Sequence, residues 1–447
     1  MQLRDYQLNL YIKAQKSFLN GNKRVLVVAP AGAGKSYIFA KMCENASKKG
    51  EVLILIHRLE LKKQHIDLFN SLGINTDNIR IESVFTEVNN LDKHKKPSLI
   101  VLDEAHLSKA KSWEKVVKHY DTYTIGFTAS PVRLDNKPLG DIFEDLVEEV
   151  DVKWLIDNKR LAPYEYYAPM TVSTDNLKVS MGDYNIVELE TLMNDNTIYS
   201  DVIDSYKKIA NNEQCIVYCV NINHSKEMAQ RFRDAGYIAE CLDSTLKKDV
   251  RDKIMSDFRN NKITILCNCG IISEGISIDN VSVCMLLRAT QSTALNIQQS
   301  MRCMRYKEGK VAKIIDCVGN YTRHGLPDTP RVWSLKVPPK KHNNINDNGE
   351  YHIRVCQNCF QTFKTAPICP YCGEKYAITP RELKEQENIQ LAKITAEEMA
   401  KIEREKKQKR MEVGRARSLE DLIKIGRERG YNNPVYWAKM IFNSRQK

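Results

Sequence analysis

Nowhere in the 447 residues does an apolar run approach the roughly 20 that a membrane-spanning helix needs. The opening Met1-Gln-Leu-Arg-Asp-Tyr-Gln7 is charged and lacks the apolar centre of a secretory signal. Internal repeats and low-complexity tracts are missing as well, which sets aside repeat and fibrous architectures. Of thirteen cysteines, four are clustered. The others are scattered on strand-like segments such as Ile265-Leu-Cys-Asn-Cys269, which argues against a disulfide framework and for small buried hydrophobes in a reducing compartment. These absences lead us to expect a soluble, cytoplasmic chain.

What is present is length enough for two sizeable cores and a small module. The net charge of +12 and pI near 8.9 favour a polyanionic partner, although modestly. Over residues 1–157, short Val/Ile/Leu runs alternate with helical stretches. The strand candidates are Val25–Ala29, Val52–His57, Ile79–Ser83, Leu99–Asp103 and Thr124–Thr128. Residues 158–335 alternate again, with candidates Cys215–Cys219, Ile238–Leu242, Ile263–Cys267, Val281–Leu287 and Val311–Asp316. Such alternation predicts an α/β fold of two tandem parallel-sheet domains. The polar stretch Thr171–Asp195 reads as a connecting insertion. Residues 336–350, with Pro338-Pro-Lys-Lys341 and an Asn-rich run, read as a linker.

Two motifs in the first half carry chemistry. Ala29-Pro-Ala-Gly-Ala-Gly-Lys-Ser36 follows a Val-rich strand and fits a phosphate loop, with Ala29 in place of the first glycine. Gly32, Ala33 and Gly34 would bring backbone N–H groups to phosphates, Lys35 would reach the β- and γ-phosphates, and Ser36 would bind magnesium. Asp103-Glu104-Ala105-His106 ends a second apolar strand. Asp103 would hold magnesium and Glu104 would align the attacking water. The second half repeats neither motif.

In residues 351–377, Cys356-Gln-Asn-Cys359 and Cys369-Pro-Tyr-Cys372 form two paired knuckles, a donor set suited to tetrahedral zinc, with iron–sulfur or free thiols as the alternatives. A module of about 25 residues cannot build a core, so metal would supply its folding energy. Phe360, Phe363 and Tyr371 read either as its core or as stacking aromatics. Residues 378–447 read as a basic helical tail. Lys401–Arg410 is either a solvated helix or a strip along phosphates, and Ser418 is a helix N-cap. A last amphipathic helix is expected through Tyr436-Trp437-Ala438.

Ile297-Gln-Gln-Ser-Met-Arg-Cys-Met-Arg305 places Gln298, Arg302 and Arg305 along one helical face. Alone this favours a solvated helix face over arginines that stabilise transition-state charge. Together with the preceding motifs, it makes residues 1–335 resemble a superfamily 2 helicase of the DEAH-box type. That resemblance implies two RecA-like domains with ATP between them. Leu3-Arg4-Asp5-Tyr6-Gln7 resembles the Q motif, with Arg4 near the nucleotide and Gln7 reading adenine. His57-Arg58 with Gln64 resembles motif Ia, and Thr128-Ala-Ser130 resembles motif III. Val217-Tyr-Cys219 with Asn221 and His224 resembles motif IV, and Cys267 through Gly275 resembles motif V. By the same resemblance His106 and Gly275 join the nucleotide site, His106 as a link to motif VI. Nucleic-acid contacts are implied for Arg58, Thr128, Ser130, Asn221, His224, Asn268 and Thr290. Two positions depart from the family: Met301 stands where glycine precedes the first arginine, and Ser277 stands where motif V has aspartate.

Gly182-Asp-Tyr184 and the trailing cysteine module are most similar to RadD-like DNA repair helicases and phage branch-migration helicases. The resemblance implies an ATP-, Mg2+- and Zn2+-using DNA helicase or translocase on duplex or branched DNA, in repair, recombination or replication. It would work in bacterial cytoplasm or a phage-infected host cell. An RNA helicase, an ATP-gated clamp that remodels without strand separation, and a zinc-dependent DNA-binding module with an inactive ATPase remain alternatives.

Overall fold

A computed structural model describes residues 2–376 apart from 58–59, 108–110, 134–137, 170–173, 175–176, 181–182, 194–195, 271–279, 337–352 and 365. Beyond these it describes residues 416, 418–428, 434–435, 438 and 442. Contacts divide the chain into Met1–Lys375 and Tyr376–Lys447.

The first unit contains two six-stranded sheets. The first is made by β1 (Arg24–Val28), β2 (Val52–Ile56), β3 (Ile79–Ser83), β4 (Leu99–Asp103), β5 (Tyr123–Thr128) and β6 (Asp145–Val147). Its order is β3-β2-β4-β5-β1-β6, parallel throughout. Helices cover both faces, so the central strands are continuous apolar runs; every residue of Val52–Ile56 is buried. The phosphate loop leaves β1 and the DEAH residues leave β4, with β5 between them. Both motifs therefore emerge at the carboxyl ends of strands one place apart in the sheet, where parallel sheets bind ligands.

The second sheet is built from β7 (Tyr164–Tyr167), β10 (Cys215–Tyr218), β11 (Ala239–Leu242), β12 (Ile265–Asn268), β13 (Val283–Leu286) and β14 (Ala312–Asp316). Its order is β11-β12-β10-β13-β14-β7, again all parallel. The scattered cysteines Cys215, Cys219, Cys267, Cys284, Cys303 and Cys317 are buried in it or against it.

The region expected to be a connecting insertion is part of this domain's core. It carries a short hairpin, β8 (Val179–Ser180) and β9 (Asp183–Tyr184), and the helix Ile186–Met193. Tyr184, Leu189 and Met193 are buried with the second sheet. Asp183 accepts hydrogen bonds from Thr290 Oγ1 at 3.0 Å and Gln291 N at 2.7 Å.

Two further connections tie the segments of this unit together. The end of the 158–335 segment returns to the first domain, where Gly140 N donates to Leu335 O at 2.9 Å and Trp333 packs against buried residues beneath the first sheet. The cysteine module packs on the second sheet. Its hairpin, β15 (Ile353–Val355) and β16 (Thr362–Lys364), lies against the edge strand β7. Ala168 N donates to Phe360 O at 2.9 Å, and Thr362 Oγ1 donates to Tyr166 O at 3.0 Å. The module thus covers backbone groups that a sheet edge would leave open.

In the second unit, helix Leu419–Glu428 begins with the expected cap: Asp421 N donates to Ser418 Oγ and Ser418 N donates to Asp421 Oδ2, each at 3.0 Å. Lys401–Arg410 and Tyr436-Trp437 lie outside the described residues.

A Cβ on Gly140 would strike the Leu335 carbonyl, a backbone group that cannot rotate aside. Gly140→Ala is therefore expected to cost roughly 1–3 kcal/mol in chemical denaturation and to speed proteolysis after Lys336.

Candidate nucleotide site and cysteine centre

The phosphate loop is shaped by two glycines in left-handed backbone, Gly32 (φ 83°) and Gly34 (φ 78°). Both are also tightly covered. A Cβ on Gly32 would lie 2.5 Å from Leu161 Cδ2, and one on Gly34 2.5 Å from Gln7 Nε2. Helix Lys35–Ala46 starts directly after the loop, and Lys35 Nζ donates to Ala29 O at 3.2 Å. The loop is held from the N-terminal helix Asp5–Leu19: Tyr6 OH and Gln7 Nε2 donate to Ala33 O at 2.9 and 3.1 Å. Gln7 Oε1 accepts from Arg4 N at 3.1 Å.

Burial pulls Lys35 below the usual lysine range. Glu104 and Asp103 oppose the shift, while Arg302 and Arg305 add to it. The two arginines of the second domain thus project their charge onto the lysine of the first. Asp103 feels the opposite balance. Burial raises it, but the His65 hydrogen bond and the charges of His65, Lys35 and His57 outweigh that and hold it below the ordinary carboxylate range. Asp103 Oδ2 lies 3.0 Å from His65 Nε2, and Oδ1 accepts from Glu104 N at 3.1 Å. Glu104 itself sits at φ 52°, backbone that a non-glycine residue adopts only at a cost, as is common where a site demands it.

His106 joins three motifs. Its Nε2 lies 3.3 Å from Gln298 Nε2, and its Nδ1 lies 3.3 Å from Thr128 Oγ1 and 3.4 Å from Glu104 Oε2. An amide nitrogen only donates, so His106 Nε2 accepts and Nδ1 carries the proton. Thr128 Oγ1 receives that proton's hydrogen bond and passes its own to Ser130 O at 2.8 Å. The chain Gln298–His106–Thr128–Ser130 runs from the second domain through the DEAH residues to motif III.

The one-helix account of the second-domain motif needs correction. Helix Thr293–Ser300 ends after Gln298, a 3-10 turn spans Met301–Met304, and Arg305 is extended in a bridge with Leu161. The arginines are placed by this turn and by Ala162 N donating to Met304 O at 2.8 Å, not by a helical stripe.

Most side chains expected to touch nucleic acid are committed to the scaffold instead. Thr128, Ser130, Asn268 and Thr290 are fully buried and His224 is nearly so. Thr290 bonds Asp183, Asn268 Nδ2 donates to Val217 O at 3.1 Å, and His224 Nδ1 accepts from Val220 N at 3.3 Å. Asn221 caps helix Ile222–Asp234, its side chain accepting from His224 N at 2.9 Å. Direct side-chain contacts by the buried five are therefore not available in this structure. Arg58 and Gly275, with Ser277 and Gly182, lie outside the described residues. The sequence reading missed His65, Leu161 and Tyr6. Tyr6 and His65 each had a nearby signal, their places beside Gln7 and Gln64; Leu161 had none.

The four knuckle cysteines converge. All their Sγ atoms lie within 4.8 Å of one another, with Cys356–Cys372 at 3.4 Å and Cys359–Cys369 at 3.8 Å. Sulfurs about 2.3 Å from a tetrahedral zinc would stand about 3.8 Å apart, so the donor set fits that ion. Phe360 and Gly373 take matching left-handed turns after the second cysteine of each knuckle, at φ 63° and 76°. Phe363 is buried, the Phe360 ring lies 4.3 Å from Lys208 Nζ, and Tyr371 is exposed.

Residues 1–133 match the family model described as type III restriction enzyme, res subunit, and residues 197–307 match the helicase conserved C-terminal domain. A 51.5 kDa protein of a Lactococcus phage (isolate 7-9) is 35% identical over 405 residues, spanning 88% of each chain. The Saccharomyces cerevisiae protein named "Putative ATP-dependent helicase IRC3" is 28% identical over 371 residues, which are 75% of this chain but 54% of that one. A fragment of an HsdR-type subunit of a type I restriction enzyme from Vibrio vulnificus has a similar fold. It aligns with a TM-score of 0.58 at 21% identity, over 73% of this chain and 67% of its own. The chain belongs to the superfamily 2 helicases and is an ATP-dependent enzyme of helicase type that remodels nucleic acid.

Burial pushes His224 and His324 down to about 4. Unfolded histidines take up protons below about 6.5, so these two favour the folded state fully above that pH and lose the effect as pH falls towards 4. In thermal melts from pH 7.5 to 4.5, the advantage of the native chain over His224→Gln is expected to shrink. For the cysteine centre, elemental analysis is expected to find one zinc per chain, lost in Cys369→Ser.

Proposed function

We propose that the chain is an ATP- and magnesium-dependent DNA helicase or translocase acting on duplex or branched DNA, in the manner of the RadD-like repair and phage branch-migration helicases. The observation that carries this reading is the shared site: Lys35 and His106 of one domain face Arg302, Arg305 and Gln298 of the other. A nucleotide in such a cleft reports on, and is reported by, the spacing of the two domains.

The residue roles follow. Gly32, Ala33 and Gly34 offer backbone N–H groups, and Lys35 meets the β- and γ-phosphates. Ser36 and Asp103 are hard oxygen donors of the kind magnesium takes, and the ion, when bound, neutralises phosphate charge. Glu104 orients the attacking water. Arg302 and Arg305 stabilise charge that develops on the transferred group. Arg4 and Gln7 would contact the base of the nucleotide. His106 passes the state of the phosphate site to Gln298 and, through Thr128, to motif III. With so many of the expected contact side chains buried, the DNA would be held through its phosphates by backbone groups and the net charge of +12, and so recognised by shape.

The cysteine centre would act as a zinc-braced cover for the second sheet's edge. Among the described residues no helix is long and apolar enough to cross a membrane. We place the activity in bacterial cytoplasm or a phage-infected host.

The decisive measurement is ATPase stimulation by duplex DNA, forked DNA and RNA, run beside strand-displacement and branch-migration assays. Forked DNA is expected to stimulate most, and Lys35→Ala to lower turnover by at least about 100-fold. Stimulation by RNA alone, or hydrolysis without displacement or branch migration, would sink this reading.

A further inference from the structure

One buried side chain outside the assigned machinery touches it directly. His65 lies on helix Glu60–Ser71, one residue past Gln64, and is 5% exposed. Its Nε2 is 3.0 Å from Asp103 Oδ2. Its ring packs 4.9 Å, centroid to centroid, from Phe39 on the phosphate-loop helix, and Phe39 is in turn fixed between Phe69 and Phe127. His65 therefore bridges both halves of the nucleotide site, the loop helix through Phe39 and the metal-side carboxylate through Asp103.

An ionised carboxylate only accepts, so Nε2 is the donor. The other oxygen already accepts from Glu104 N at 3.1 Å. With one donor on each oxygen, the plane of the carboxylate is set, and a packed aromatic neighbour keeps the donor in place. Carboxylate ligands held in this way take up metal without first having to be ordered.

We propose that His65 is a positioning residue for the divalent-metal side of the site, fixing the orientation in which the Asp103 carboxylate takes up magnesium. This rests on the reading of Asp103 and Ser36 as the magnesium donors. His65 touches no phosphate and no reacting atom in this account; its effect passes entirely through Asp103.

The test compares two nearly isosteric variants of the full chain, His65→Met and His65→Gln. The glutamine amide still donates from a similar reach, and the methionine does not. Binding of a fluorescent N-methylanthraniloyl ADP is titrated with MgCl2, and separately measured in EDTA, with circular dichroism to check folding. His65→Met is expected to raise the half-saturating Mg2+ concentration by about 10-fold, the lower end for a lost outer partner of a metal ligand. Its affinity in EDTA should be unchanged, and His65→Gln should recover most of the loss. If His65→Met does not fold, His65→Ser takes its place.

Equal Mg2+ requirements for the methionine and glutamine variants overturn the inference, as does a loss that is equally large in EDTA. A native chain whose nucleotide binding ignores Mg2+ overturns the magnesium reading of Asp103 and this inference with it. Native Mg2+ dependence combined with identical variants overturns this inference alone.

Discussion

The contact between Gln298 and His106 is the constraint on which the site depends. It is a single hydrogen bond between two buried polar groups contributed by different domains. A buried amide or imidazole left without a partner costs about 1–3 kcal/mol, so separating the domains is penalised unless water replaces the lost bond. The same bond sets the tautomer of His106 and, through it, the direction of the hydrogen bonds to Thr128 and Ser130. The geometry of the phosphate site is thereby tied to the distance between the sheets.

Close backbone approach reinforces that tie. Gly32 accommodates Leu161, and Leu161 pairs with Arg305, so the phosphate loop senses the arginine-bearing turn through one apolar side chain. Gly140 accommodates the carbonyl of Leu335, where the chain returns to the first domain after completing the second sheet. The two sheets are thus joined by chain on the way out and on the way back. Motion between them has to be absorbed near these crossings. The cysteine module, seated on β7, rides on the strand that directly follows Leu161.

Much of the architecture was legible because buried parallel strands are written as uninterrupted apolar runs. Ile79–Ser83 and Leu99–Asp103 match to the residue, and the other predicted strands shift by one or two positions at one or both ends. Of the four strands at the edges of the two large sheets, β3 and β11 were legible and two escaped notice. Asp145–Val147 is three residues long, and Tyr164–Tyr167 carries aromatic and acidic residues because one side is covered by the cysteine module rather than by a helix. The Thr171–Asp195 region misled for a related reason: its polarity is real, yet Asp183 is satisfied internally by Thr290, Gln291 and Arg288. A polar residue that finds partners from a distant strand looks, in sequence, like one that faces water.

The sequence by itself determined the chemistry of each local motif. A glycine-rich turn before Lys35-Ser36, adjacent carboxylates ending an apolar strand and two CxxC knuckles require only neighbours a few residues away, and local spacing specifies them. Tertiary structure alone decided what those motifs touch. His65 reaches Asp103 across 38 residues and Gln298 reaches His106 across 192. Arg305 owes its place to a bridge with Leu161 rather than to helical periodicity. Side chains such as Thr290 and Asn268, plausible at a nucleic-acid surface by motif, turned out to be interior braces. Periodicity encodes which face of an element is buried. It carries no information about which distant residue will fill the space opposite, and at this site that partner decides the role.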